Sequence, residues 1–320
     1  MKIELDSPTN YLHIEPDMKC APSKKYIDGS CFSLEAIKNI VNSYNKRNYN
    51  KIDINQTKEE LVNELETRLS DKCSEQTCWL RLDFIKELEN DDILENTFRP
   101  KGPSKKYDWL NTTHINEVVK QYQEAYKEFL FLGAVPYDFE DLPFLGIADL
   151  NFSELDKSDK YKIGIIINLD EHYKNGSHWV ALYTDLRNNQ IYFFDSVGKK
   201  PQKRIRKFIN RITKYLYFKK YNQRLLINDV IENIKKVYNS PNKKIKKKKL
   251  NKYLENLING NFDIRYNHIQ HQFQNSECGV YSINFIIRLV EGEPFDSIIN
   301  NITKDKEMNN NRKFYFRNVN

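Results

Sequence analysis

Glycine and proline are scarce in this 320-residue sequence, with ten of each. Long flexible connections are rich in these residues, so the sequence does not predict Gly/Pro-rich linkers. Long apolar runs are also missing, because segments such as 163–169 and 285–290 are only core-sized and a membrane-spanning helix needs about 20 apolar residues. The opening MKIELDSPTN has no signal-peptide-like apolar stretch. We therefore expect no membrane association and a reducing, cytosol-like compartment.

Cysteine is sparse as well, since the chain holds Cys20, Cys31, Cys73, Cys78 and Cys278. An odd number of widely scattered cysteines argues against a disulfide framework. We therefore expect buried free thiols at the four N-terminal positions. A structural zinc site is the alternative, but the spacing of these four cysteines matches no common zinc motif.

No charge of either sign dominates. Lys and Arg number 51 against 44 Asp and Glu, a formal net charge of +7, which permits an acidic partner without requiring one. The basic charge is most concentrated in the run from Lys243 to Lys249, with six lysines in seven residues. The common interpretation of such a run is a solvated surface. The alternative is a DNA contact, whose affinity would fall steeply with salt.

The first hundred residues have the features of helices. Ser33 is placed to cap a helix from Leu34 to about Tyr44, and Thr57 with Glu60 forms a capping-box pattern. A third helix is predicted over 79–88. The segment RPKGPSKKYD at 99–108 is rich in turn-forming and basic residues and predicts a boundary between a domain at 1–100 and a domain at 101–320.

Strands dominate the middle of the second domain. After a helix over 115–129, apolar and β-branched runs predict strands at 130–135, 162–169, 179–183 and 190–194. A basic helix follows from Pro201, then a polar, basic insertion at about 221–261, and then a short strand at 262–266. The residues after Cys278 are apolar nearly all round, which predicts a buried helix that ends by Gly292.

Two of these strands indicate a base and its orienting group. His178 opens one strand and Asp195 closes the next, and the short polar connection predicts an antiparallel hairpin. The midpoint between the two positions falls at 186–187, near the expected turn, so both side chains lie at the same end of the hairpin. Neighbouring strands are about 4.8 Å apart, so the carboxylate can orient the imidazole. A slip of one residue would turn one of them to the wrong face.

Cys278 is the candidate nucleophile. It stands at the start of the predicted buried helix, where unpaired N–H groups and the helix dipole favour a thiolate. Gly279 allows close approach beside the sulfur. The bland interpretation is a buried structural thiol. His271, seven residues before Cys278, is a rival base without a placed carboxylate.

Three segments in this chain order, GSHWVALYTD, IYFFDS and HQFQNSECGVYSINFI, resemble the Ulp1-like cysteine peptidases. This clan includes SUMO proteases and the adenovirus protease. The resemblance is strongest to its viral branch, which includes the asfarvirus polyprotein protease and thiol proteases of mimivirus-type giant viruses. It covers roughly 162–292, and 1–100 resemble a helical accessory domain of the viral members.

The resemblance implies an α+β fold, with a central mixed sheet flanked by helices after the helical accessory domain. It implies His178 as base, Asp195 as orienter, Cys278 as nucleophile and Gln272 as oxyanion donor. Some viral relatives have Asn in place of Asp195. Trp179 would cover the narrow channel that admits small residues, typically Gly-Gly. The assignment of Gln272 depends more on resemblance than on geometry, and the nearby glutamines at 270 and 274 are rivals.

The implied function is a cysteine endopeptidase, without metal or cofactor, that cleaves viral structural-protein precursors during virion maturation. The implied locations are the virion and the host cytoplasm, in the viral factory. Two alternatives stay open. One is a protease for SUMO or ubiquitin-like conjugates, and the other is a nucleic-acid-binding virion protein with an inactive peptidase fold.

Overall fold

The computed structural model describes residues 20–83, 85, 90–222 and 262–317. The chain divides into one compact unit of residues 1–109, 120–125 and 309–320 and a second of 110–119 and 126–308. The run from Lys243 to Lys249 and most of the predicted insertion lie outside the described residues. Within the described ranges, no helix combines the length and the apolar character needed to cross a bilayer.

Helices make up the regular structure of the first unit. Helix α1 spans Leu34–Arg47 and begins where Ser33 Oγ accepts a hydrogen bond from the backbone N–H of Ala36. Helix α2 spans Lys58–Leu69. Both halves of its predicted capping box form between Thr57 and Glu60, which satisfies two N–H groups that a helix start leaves unpaired.

The prediction of a third helix over 79–88 is wrong for the part of this range that the structure describes. Helix α3 is only Gln76–Trp79, residues 80–83 form turns, and helix α4 follows at Asn90–Thr97. Backbone N–H groups of Arg81 and Leu82 donate to carbonyls three residues back, which is the pattern of tight turns. The consecutive residues Trp79 and Leu80 are both buried. Burial of both side chains in the core outweighs the helical pattern of the sequence.

The prediction of free N-terminal thiols is also wrong. Cys20 is bonded to Cys31 and Cys73 to Cys78, so these four sulfurs are not available to zinc. The odd total arises because the fifth cysteine, Cys278, is kept free. Cys31 and Cys73 lie in one buried cluster with the apolar side chains of the first four helices. The disulfides therefore close loops around the core of this unit, and they do not fit the reducing compartment that the sequence predicts.

We predict that a thiol reagent detects one free thiol per native chain and five per reduced, unfolded chain. The double substitution Cys20→Ser with Cys31→Ser should lower the free energy of unfolding by about 2–3 kcal/mol, because a closed loop limits the unfolded chain. Thiol titration and chemical denaturation measure the two quantities. Cys278→Ser is the control, and five reactive thiols in the native chain would contradict the pairing.

The second unit contains helix α5, Thr112–Ala125, whose last six residues belong to the first unit, and a five-stranded sheet. The strands are β1, β2, β3, β4 and β5, spanning Phe129–Val135, Lys162–Asn168, Trp179–Asp185, Gln190–Phe194 and Asp263–Tyr266. They lie in chain order, with β1–β2 and β4–β5 parallel and the two central pairs antiparallel. The predicted mixed sheet is confirmed.

One face of the sheet packs against α8, Cys278–Val290. Gly164 in β2 permits this contact, because a Cβ there would lie 2.9 Å from the Phe129 ring and 3.1 Å from Ile286. Phe194, which ends β4, stacks on Phe285 of α8 at 4.8 Å between ring centroids. The start of α8, and with it Cys278, is therefore fixed by core packing.

The opposite face is covered by α7, Lys203–Tyr221, and by α6, Phe152–Lys157. Alternate strand residues such as Ile165, Leu182 and Phe193 pack with Phe208 and Ile212 of α7 in one buried cluster. Three short helices follow α8 in the chain: α9 at Phe295–Asn300, α10 at Asp305–Asn310 and α11 at Arg312–Tyr315. Residues from 309 onward, and with them α11, belong to the first unit. The sheet is thus enclosed on both faces, as α+β packing requires.

Candidate active site

The register of β3 and β4 brings His178 and Asp195 together. Ala181 pairs with Phe194, and this register, continued past both strands, places His178 diagonally across from Asp195 with the same facing. The Nε2 atom of His178 lies 2.7 Å from Oδ1 of Asp195. The backbone N–H of Leu169 donates to the His178 carbonyl and extends the β2–β3 ladder to that residue. The hairpin predicted from the sequence therefore yields the predicted contact.

A tight turn encloses the carboxylate of Asp195, which is 2% exposed. The Val197 N–H donates to its Oδ1 at 2.9 Å, and the Gly198 N–H donates to its main-chain oxygen at 2.7 Å. Gly198 has φ +78, and a Cβ there would lie 3.1–3.2 Å from the backbone of residues 268–270. Only glycine fits this turn without strain.

Cys278 is the first residue of α8 and is 3% exposed. No side chain caps this helix start, and the positive end of the helix dipole favours a negative charge on a residue at this position. The interaction with the Cys278 thiol is one of the causes that raise the pKa of His178. Because Nε2 of the imidazole is taken by Asp195, Nδ1 is the ring nitrogen that remains for the thiol.

The electrostatics of His178 favour the charged imidazole. Burial lowers the pKa of His178, but the hydrogen bonds to Asp195 and Cys278 outweigh burial and raise that pKa from 6.5 to about 9. At neutral pH the ring is therefore an imidazolium that can stabilise a thiolate and later supply a proton.

Gln272 is 4% exposed and its side-chain amide is held at both ends. Its Oε1 accepts from Ser196 Oγ at 2.6 Å, and its Nε2 donates to the Gln274 carbonyl at 2.6 Å. An amide nitrogen carries two hydrogens, and among the described residues only the Gln274 carbonyl accepts from Gln272 Nε2. The second hydrogen is therefore available to another acceptor.

The backbone of the loop that carries Gln272 is fixed by two acceptors. The main-chain oxygen of Ser196 accepts from the N–H groups of His271 and Gln272, both at 2.8 Å. The carboxylate of Asp305 accepts from the N–H groups of Phe273 and Gln274 at 2.8 and 3.0 Å. This loop is therefore tied to the turn after β4 and to the start of α10.

Tyr281 ties the same loop to α8. Its hydroxyl lies 2.7 Å from the Thr303 carbonyl, 3.1 Å from the His271 carbonyl and 3.3 Å from Asp305 Oδ1. Burial, with the nearby Asp305 charge, raises the pKa of Tyr281 far above its ordinary value, so the hydroxyl stays a neutral donor. Tyr281 lies one turn after Cys278 in α8. The candidate nucleophile and the residue that bonds the loop are therefore on the same helix.

The rival residues have other partners. His271 is buried, and burial lowers its pKa. The ring is therefore neutral, and its Nε2–H donates to the Ile299 carbonyl at 3.1 Å. Gln270 donates its amide to the Gln272 carbonyl, whereas the Gln274 backbone is engaged by Asp305 and Gln272. Gln270 and Gln274 are both exposed.

Trp179 and Gly279 both contact the segment that precedes α5. The indole Nε1–H of Trp179 donates to the Leu110 carbonyl at 2.9 Å. A Cβ on Gly279 would lie 3.0 Å from the Cβ of Leu110. Trp179 is 7% exposed, and its substrate-binding role stays a prediction.

Sequence analysis missed Ser196, Asp305, Tyr281 and Leu110 as parts of this site. Ser196 stands next to Asp195 and Tyr281 lies in the motif around Cys278, so both were within reach of the pattern. Asp305 and Leu110 gave no signal, because their partners are far along the chain, 32 residues away for the Phe273–Asp305 bond and 69 for the Leu110–Trp179 bond.

The assembled geometry is suited to acyl transfer through a covalent intermediate. It provides a thiol at a helix start, an imidazole whose pKa that thiol helps to raise, and a carboxylate on one ring nitrogen.

Comparison with known proteins agrees with this chemistry. The family model described as the Ulp1 protease family, C-terminal catalytic domain, matches residues 151–244, a range that includes His178 and Asp195. The protein of Acanthamoeba polyphaga mimivirus named "Putative thiol protease R355" is 33% identical over 310 residues, which cover 91% of this chain and 90% of the relative. The chain belongs to the Ulp1 protease family. It is a cysteine protease.

More distant viral relatives of this Ulp1-family protease have the same general description. A protein of African swine fever virus named as a SUMO-1 cysteine protease is 22% identical, over 81% of this chain and 88% of the relative. The crystal structure of the African swine fever virus protease aligns with a TM-score of 0.59 at 19% identity, and covers 98% of this chain and 100% of that one. This likeness extends the shared fold over nearly the whole chain.

We predict that peptidase activity of this Ulp1-family protease falls on the alkaline side with an apparent pKa near 9. The pKa of folded His178 is raised above 6.5 to about 9, so the imidazolium is fully present below pH 6.5 and is lost as the pH rises through 9. In Asp195→Asn the orienting charge is gone, and the alkaline limb should move to lower pH. The pH profile of kcat/KM measures both, and an alkaline limb that Asp195→Asn leaves in place would contradict the prediction.

Proposed function

We propose that this Ulp1-family protease is an endopeptidase that cleaves viral structural-protein precursors after small Gly-Gly-type sequences during virion maturation. The observation that carries the proposal is the hydrogen bond between His178 and Asp195, together with the interaction by which the Cys278 thiol raises the pKa of His178. The viral origin of the relatives supports a viral substrate. The proposed locations are the virion and the host cytoplasm.

In the proposed mechanism the Cys278 thiolate attacks the peptide carbonyl carbon and forms a tetrahedral oxyanion. The Cys278 N–H and the free amide hydrogen of Gln272 stabilise that oxyanion. His178 donates its proton to the leaving amine as the C–N bond breaks, which leaves a thioester. Water, deprotonated by the now neutral His178, then attacks the thioester and releases the acid, and the thiol is restored.

Two further parts of the proposal concern the rest of the chain. We propose that 1–100 form a helical accessory domain and 101–320 the peptidase domain, with Trp179 beside the Gly-Gly channel. A DNA contact through the run from Lys243 to Lys249 is proposed from composition, because six cations in seven residues can neutralise phosphates.

Processing of SUMO or ubiquitin-like conjugates is the second candidate function. The name of the African swine fever virus relative, which calls it a SUMO-1 cysteine protease, favours it, and the same catalytic residues would serve. Cleavage of a folded ubiquitin-like precursor without cleavage of short Gly-Gly peptides would select this candidate. The inactive-fold alternative has less support, because a peptidase without function has no need to keep a buried imidazole–carboxylate pair.

We predict that a Gly-Gly peptide with a thiol-reactive electrophile at its carboxyl end labels Cys278 and no other residue. The reaction should slow strongly in His178→Ala, because the ring supports the thiolate. Gln272→Ala should lower kcat on a cleavable Gly-Gly peptide by about 10²–10³-fold, as expected for loss of one oxyanion donor. Mass spectrometry maps the adduct, and the kinetic assay gives kcat.

The control is Gln270→Ala, because Gln270 is exposed and its amide faces the Gln272 carbonyl. It should leave kcat within about threefold of the parent. Equal losses in both glutamine variants, or an adduct spread over other residues, would refute the assignments.

A further inference from the structure

Asn267 makes a two-bond contact with the main chain of Asp195. It directly follows β5 and is fully buried, at 0% exposure. Its Oδ1 accepts from the Asp195 N–H at 2.8 Å, and its Nδ2 donates to the Asp195 carbonyl at 2.8 Å. One side-chain amide therefore satisfies both main-chain polar groups of a residue 72 positions earlier.

This contact prolongs the sheet past the end of its last strand. The main-chain N–H of Asn267 donates to the Phe193 carbonyl at 3.1 Å, as the next rung of the parallel β4–β5 ladder. Its side chain then bonds Asp195, two residues further along the neighbouring strand. The second Nδ2 hydrogen donates to the Ile269 carbonyl at 3.0 Å, which fixes the amide itself.

Asn is suited to this position because the contact needs a donor and an acceptor on one planar group. A carboxylate would lack the donor. An apolar side chain would leave the buried Asp195 N–H unpaired and would remove one of the two bonds to the Asp195 carbonyl, whose other donor is the Gly198 N–H. The contact matters beyond folding, because the Asp195 carboxylate orients His178 only while its Oδ1 stays 2.7 Å from the ring Nε2.

We propose that Asn267 is a positioning residue for the catalytic dyad, because its amide fixes the main chain of Asp195 and so holds the carboxylate on His178. The inference rests on the proposed roles of Asp195, His178 and Cys278. Asn267 acts through Asp195 and touches no reacting atom.

The test follows alkylation of Cys278 by iodoacetamide against pH under non-reducing conditions, with the adduct mapped by mass spectrometry. It needs no substrate, so it is independent of which peptide the enzyme cleaves. The charged groups that act on His178 are Asp195 and Cys278. Glu277 is also buried and directly precedes Cys278 in the chain. In Asn267→Ala the alkylation midpoint should move to higher pH, because a displaced imidazolium supports the thiolate less, and the rate at pH 7 should fall about tenfold.

The chain offers a matched control in Asn45. Its Nδ2 donates to the Ile52 carbonyl and its Oδ1 accepts from the Ile52 N–H, both at 2.8 Å, so the same two-bond clamp occurs in the first unit. Asn45→Ala should lower thermal stability without moving the alkylation midpoint. Asp195→Ala is the reference for loss of the carboxylate and should move the midpoint in the same direction as Asn267→Ala.

Each outcome decides the proposal. A midpoint shift in Asn267→Ala and Asp195→Ala, without one in Asn45→Ala, supports it. A parent-like profile in Asn267→Ala, or an equal shift in Asn45→Ala, overturns it. No shift in Asp195→Ala overturns it too and removes the proposed role of Asp195. If Asn267→Ala does not fold, Asn267→Leu, which keeps the volume and removes both bonds, takes its place. Absence of Gly-Gly cleavage with these shifts present would count against the proposed function alone.

Discussion

A carboxylate buried to 2% exposure constrains the whole active site. Removing a charge from water costs several kcal/mol unless donors and an opposite charge surround it. Asp195 obtains them from His178 and the turn to Gly198, and the amide of Asn267 satisfies its main chain. The register of β3 and β4, the glycine in the turn and the residue that follows β5 all contribute to these contacts.

The sequence predicted what depends on local pattern. Alternation and β-branched runs indicated the strands, and the short polar connection between β3 and β4 indicated the contact of His178 with Asp195. The capping box at Thr57 was readable for the same reason, because its two partners are three residues apart.

What the sequence did not predict depends on contacts between distant segments. Asn267 and Asp305 are ordinary polar residues in sequence, and only the fold brings them to Asp195 and to the loop around Gln272. The N-terminal disulfides were missed for another reason, because their partners are only 11 and 5 residues apart and the odd, scattered cysteines favoured free thiols.

Helix α8 carries the candidate nucleophile and also holds the loop of the candidate oxyanion donor. Its apolar face fixes it on β2 and β3, its first residue is Cys278, and Tyr281 one turn later holds the loop of Gln272 through the carbonyl of His271. The candidate nucleophile and the candidate oxyanion donor are therefore attached to the same rigid body. Small movements of α8 would shift both together, which conserves their mutual geometry.

Strand β5 has a further consequence for the behaviour of the protein at high concentration. It is four residues long, it is the last strand of the sheet among the described residues, and Asp263 and Arg265 bond each other along it. Arg265 also pairs with Asp296. Short, charged edge strands are poor templates for pairing with strands of other molecules. The ion pairs of Asp263 and Arg265 thus disfavour edge-to-edge pairing at this strand, although its other two residues, Ile264 and Tyr266, are exposed and apolar.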